Sequence, residues 1–79
     1  MEINMAQVRA ARSLLDWTQA DLAAAAKIAL PTVKRYETGV RTPIPAIMAA
    51  IRRALEAAGV EFIPAKSGKG VGVRLREDK

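Results

Sequence analysis

Thr18-Gln19-Ala20-Asp21-Leu22-Ala23-Ala24-Ala25-Ala26-Lys27-Ile28-Ala29-Leu30-Pro31-Thr32-Val33-Lys34-Arg35-Tyr36-Glu37-Thr38-Gly39 reads as two short helices joined by a tight turn. Thr18 is a good N-cap, its hydroxyl placed to accept from the Asp21 amide, and Asp21 suits the positive end of the helix dipole. The first helix of the pair therefore runs over about Gln19–Ala26. Lys27, Ile28 and Ala29 connect it to the second. Pro31 belongs in a first turn, where a missing N–H costs nothing, and Gly39 suits a left-handed helix stop. The second helix thus covers about Leu30–Thr38. Ala29 cannot cap it with a side chain, so its start is open by one residue, with Leu30 as cap and Pro31 first as the alternative.

Outward from this pair, Met5, Val8 and Leu15 recur at helical spacing before it, giving a helix over Met5–Leu15. After it, Pro43 and Pro45 delay a new helix, read as Ala46–Ala58 and ended by Gly59, with Ile47, Ile51, Leu55 and Ala58 facing the core. Beyond Gly59 the period falls to two. Val60 and Phe62, then Val71, Val73 and Leu75, alternate with Glu61, Arg74 and Arg76 around Ser67-Gly68-Lys69-Gly70, the pattern of a β-hairpin. The expected architecture is mainly α, four helices followed by a C-terminal hairpin, with a domain over 1–59, the helix pair at about 18–38, and the hairpin over 60–79 as a possible dimerisation element. A lone two-stranded ribbon is marginal in water, and pairing edge to edge with a second copy would relieve that.

A tight turn between two short helices fixes a large crossing angle and leaves one face of the second helix uncovered, which is what insertion into a DNA major groove requires. Ala23 is small enough for the close crossing. Leu22, Ile28, Val33 and Tyr36 supply the inward faces, and Trp17 seals the corner after the first helix. With Val33 and Tyr36 turned in, Leu30, Thr32, Lys34 and Arg35 remain on the outside or rim, a mixture of methyl, hydroxyl and cationic groups able to read base edges. The bland reading of Arg35 or Lys34 alone is a solvated surface charge; the helix pair around them favours contact with DNA.

Composition narrows the field. Thirteen Lys and Arg against eight Asp and Glu give a formal charge of +5 in 79 residues, which favours a polyanionic partner. The chain has no cysteine and no histidine, so disulfides, thiolate metal sites and imidazole chemistry are excluded. Asp16, Asp21, Glu37 and Glu56 form no paired or ligand-spaced cluster and no nucleophile has a base, so neither an enzyme nor a cofactor is expected. Ser67-Gly68-Lys69-Gly70 lacks the flanking strand and helix of a phosphate loop and is a plain turn. No leader or membrane-spanning segment is recognisable, so a cytoplasmic protein is expected.

Two blocks, Thr18-Gln19-Ala20-Asp21-Leu22-Ala23 and Thr32-Val33-Lys34-Arg35-Tyr36-Glu37-Thr38-Gly39 with Pro43 following, resemble the Xre family of Cro and phage-repressor helix-turn-helix domains over roughly Val8 to Leu55. The resemblance implies a phage-repressor-like fold and a sequence-specific transcription regulator of double-stranded DNA, a repressor acting as a homodimer. It implies that Gln19 grips a phosphate, that Leu30, Pro31 and Arg35 touch base edges with Thr32 and Lys34 beside them, and that Arg41 and Thr42 hold the backbone. It further implies an ion pair between Arg12 and Glu37. The chemistry is compatible: Arg35 can bind guanine O6 and N7 together, Leu30 can pack on a thymine methyl, and Thr32 completes the base-reading set while Lys34 suits phosphate. Two positions depart from the family pattern, Lys27 where glycine is usual in the turn and Ala29 where Ser or Thr usually caps. No membrane partner and no small-molecule effector are expected. The competing reading is a protein-interaction module, an antitoxin or adaptor that keeps the fold and uses its C-terminal strands on another protein.

Overall fold

The computed structural model describes residues 2–40 and 44–76. Four helices, α1 (Met5–Leu15), α2 (Gln19–Ala26), α3 (Leu30–Glu37) and α4 (Pro45–Ala57), precede strands β1 (Val60–Ile63) and β2 (Gly72–Leu75), which pair antiparallel. The fold is mainly helical with a C-terminal hairpin, as the sequence leads one to expect.

Local chemistry sets each helix boundary. Asn4 and Gln7 form a reciprocal capping box at the start of α1, each side chain accepting from the other's backbone N–H at 2.9 Å. Thr18 and Asp21 do the same for α2, at 3.0 and 2.9 Å; together they satisfy donors that the helix itself leaves unpaired. Both helices end at a left-handed residue that is not glycine, Asp16 at φ 57° and Lys27 at φ 60°.

Several expected boundaries move, but the start of α3 does not: Ala29 is its N-cap even without a side-chain bond, so Leu30, and not the alternative Pro31, is the first helical residue and Pro31 the second. Proline is tolerated there because none of the first four amides has a helical partner. Thr38 is the C-cap of α3 and its hydroxyl folds back on the Lys34 carbonyl at 2.8 Å, so the helix stops at Glu37 and not at Thr38. Helix α4 lies one residue earlier than expected, with Pro45 in its first turn and Ala58 as C-cap. Strand β2 is shorter than the alternating pattern implies, Gly72–Leu75 in place of Val71–Arg76.

Val8 and Ala11 of α1, Leu22 and Ala23 of α2, Val33 and Tyr36 of α3, Ile51 and Leu55 of α4, and Val60 and Phe62 of β1 form one continuous core. Trp17, Ile28, Leu30, Ile47 and Val73 pack half-buried against it. The hairpin covers the end of the core left open by the helices. Cross-strand partners Val60 and Leu75, and Phe62 and Val73, share the inward face. Its inward alternation fades along β2, since Leu75 and the preceding Val71 are each 43% exposed. The Gln7 side chain donates to the Gly72 carbonyl at 3.0 Å, fastening β2 to α1. At the tip, Ser67 (φ 53°) and Gly68 (φ 80°) turn the chain between Lys66 and Lys69, whose backbones exchange two hydrogen bonds. Two successive positive φ values match the right-handed twist of a hairpin.

Candidate nucleic-acid interface

Helix α3 has two faces of opposite character. Val33 and Tyr36 are 0% and 2% exposed and hold the helix on the core, while Pro31, Lys34, Arg35 and Thr38 are exposed at three- and four-residue spacing and form a single outward row. Leu30 and Thr32 lie half-buried at its margins, Leu30 packed on the core cluster. Of the six positions that sequence reasoning places on or beside this edge and at the start of α2, Gln19 is also half-buried. Arg41 and Thr42 lie outside the described residues. Lys34 and Arg35 sit in the last turn of α3, where cations complement the helix dipole.

The C-terminal end of α3 is pinned from three directions. The Arg12 guanidinium donates from Nε to Glu37 Oε2 at 2.8 Å and from Nη2 to Oε1 at 2.7 Å, a two-pronged pair, and its Nη1 reaches the Trp17 carbonyl at 3.0 Å. Gln19, first residue of α2, donates from Nε2 to Glu37 Oε1 at 3.0 Å. Arg9 donates from Nη1 to the Glu37 carbonyl at 2.8 Å, closing one of the acceptors that a helix end leaves open. On the far side, the Tyr36 hydroxyl accepts from the Ile44 N–H at 3.4 Å, linking α3 to the start of α4.

The Glu37 side chain is 2% exposed, against 18% for Arg12. Burial pushes the Glu37 carboxyl up, but the hydrogen bonds from Arg12 and Gln19 and the nearby Arg12 and Arg9 charges outweigh it, so the group stays below the ordinary glutamate value. No buried side-chain polar atom lacks a partner among the described residues.

Sequence reasoning missed Arg9 and Gln7. Gln7 was findable: Asn4 three residues before a glutamine, ahead of an apolar-periodic segment, is a capping-box pattern. Arg9 carried no such sign. Among the described residues no cluster of acidic side chains is arranged to hold a metal ion, and no helix is long and apolar enough to cross a membrane.

Two short helices joined by a tight turn, the second presenting Lys34 and Arg35 outward and tied at its end to Arg12 through Glu37, form a helix-turn-helix unit. The helix-turn-helix family model matches residues 8–61, well over half of the chain. The chain belongs to the Xre-like helix-turn-helix family of Cro and phage-repressor type, a family of DNA-binding transcription regulators. No curated protein matches it.

Proposed function

We propose that the protein is a sequence-specific repressor that binds double-stranded DNA as a homodimer, the two α3 helices entering successive major grooves of a pseudo-palindromic site about 34 Å apart. The observation that carries this reading is the opposition within α3: a wholly buried Val33 and Tyr36 on one side, an exposed Pro31, Lys34, Arg35 and Thr38 on the other. Arg35 reads guanine through paired donors, with Leu30, Pro31 and Thr32 shaping the apolar and hydroxyl contacts around it.

Lys34, Gln19, Arg41 and Thr42 position the duplex through phosphates. For Gln19 the geometry is favourable: one amide N–H goes to Glu37, which orients the group and leaves the second donor for a phosphate oxygen. Occlusion of a promoter is the simplest route to repression, and the C-terminal hairpin over 60–79 is the candidate dimerisation element.

Selection of bound duplexes from a random pool, followed by a salt titration of the winner, tests this. A two-fold-related consensus with affinity that falls steeply as salt rises is the expected result. Absence of any salt-sensitive binding would remove the regulator reading and leave the protein-interaction module in its place.

A further inference from the structure

Arg9 carries more charge than its one contact needs. It is exposed on α1 and donates from Nη1 to the Glu37 carbonyl at 2.8 Å, the last carbonyl of α3. Among the described residues no carboxylate is paired with it. The Glu37 carboxylate already takes two bonds from Arg12 and one from Gln19, and the other ion pairs join Arg52 to Glu56 and Arg74 to Glu61. Two guanidinium groups, Arg9 and Arg12, thus meet a single carboxylate, Glu37, which leaves this corner one positive charge in excess. Water or a neutral donor would satisfy a helix-end carbonyl equally well.

We infer, on the regulator reading proposed above, that Arg9 is a contact to the DNA backbone, bridging the Glu37 carbonyl and a phosphate oxygen. Gln19 and Arg9 are anchored on the same residue, Gln19 on the Glu37 carboxylate at 3.0 Å and Arg9 on its carbonyl at 2.8 Å. A phosphate gripped by Gln19 therefore comes up to the end of α3. That end repels an anion, because the helix dipole is negative there and the last carbonyls are acceptors. Arg9 reverses this: it closes the Glu37 carbonyl, adds a full positive charge, and keeps the rest of its five N–H donors for the phosphate.

Arginine suits the bridge better than lysine, since its planar fork can hold the carbonyl at one nitrogen and offer parallel donors to phosphate from the others. The bond to Glu37 also restrains the side chain before DNA arrives, which lowers the cost of ordering it. Arg12 is less free, with Nε, Nη1 and Nη2 all engaged by Glu37 and Trp17. A phosphate contact carries no sequence information, so loss of Arg9 should weaken all duplexes alike.

Salt titration of full-length variants on a labelled mixed-sequence duplex separates a phosphate contact from a helix-end cap. Arg9→Gln keeps a neutral donor for the carbonyl and removes the charge. It should lower the salt slope by about 1, so that between 50 and 200 mM salt the parent loses roughly threefold more affinity than the variant. Arg9→Lys should restore the slope. Arg53→Gln removes an exposed cation from α4 and should leave the slope near that of the parent. The parent's slope in Arg9→Gln, with any loss confined to its thermal unfolding midpoint, would reduce Arg9 to a cap and overturn the contact. So would an equal fall in Arg53→Gln, which would mark a diffuse charge effect, or failure of Arg9→Lys to restore the slope. Salt-sensitive binding by the parent keeps the regulator reading whichever way Arg9 falls, whereas its absence removes that reading and the contact together.

Discussion

Arg12 holds both carboxylate oxygens of Glu37, at 2.8 and 2.7 Å, and so ties α1 to the last residue of α3. With Glu37 nearly sealed from water, the pair is an obligatory partnership. Its value lies in the cost of breaking it, not in the net gain of having it. Arg12→Leu should destabilise the fold by about 3 kcal/mol, at the low end of the range for a broken buried pair because the arginine is partly solvated. The double variant Arg12→Met/Glu37→Leu should recover most of that loss. Urea unfolding midpoints for parent, single and double variants decide it; equal stability of parent and Arg12→Leu would count against a tight pair.

The same pair sets an acid-side dependence. Burial raises the Glu37 pKa, but the Arg12 and Gln19 hydrogen bonds and the Arg12 and Arg9 charges outweigh it, with a net lowering. The folded state therefore binds this proton more weakly than the unfolded chain. Stability from Glu37 is complete above the ordinary glutamate value of about 4.3 and is lost as pH falls below it, through the folded-state value. Glu37→Gln should flatten the acid limb of a stability–pH curve relative to the parent. Glu61 is also held low, first by its hydrogen bond to Arg74, but it is solvent-exposed and its share should disappear on adding salt.

Lys27 at φ 60° carries backbone strain that glycine would not. The left-handed conformation costs an L-residue roughly 1–2 kcal/mol, and glycine returns part of that as extra unfolded-state freedom. Lys27→Gly should thus stabilise by about 0.5–1 kcal/mol, read as a rise of a few degrees in Tm. An unchanged or lower Tm would mean that the lysine side chain contributes something its exposed position does not reveal.

On DNA, the two exposed cations of α3 should part company. Arg35→Ala is expected to cost about 1–3 kcal/mol and relax preference at one base pair, whereas Lys34→Ala should weaken all duplexes alike and lower the salt slope by about 1. Competition binding against a set of single-base operator variants separates the two; the same profile for both substitutions would contradict their assigned roles.

Much of this was legible in the sequence where the deciding chemistry is local. Thr18, Asp21, Pro31 and Gly39 announce the helix pair because caps, proline and glycine act on their own turn of backbone. The Arg12 and Glu37 pairing was suggested by resemblance to related domains and not by periodicity. Arg9 and the long reach of Gln7 escaped because their acceptors are backbone carbonyls 28 and 65 residues away, and a carbonyl leaves no mark in a sequence. The start of α3 at Leu30 was legible beside Pro31, and Ala29 caps it without a side-chain bond. Fading burial along β2 was also hidden, since an alternating pattern says which face is apolar but not how much of the body lies beneath it.

The bond from Gln7 to the Gly72 carbonyl joins segments that are almost as far apart in the chain as this protein permits. The opening helix and the final strand therefore lean on each other like the two ends of a clasp. Trimming either one should loosen the other, so the helix pair in the middle depends for its firmness on segments that lie far from it in the chain.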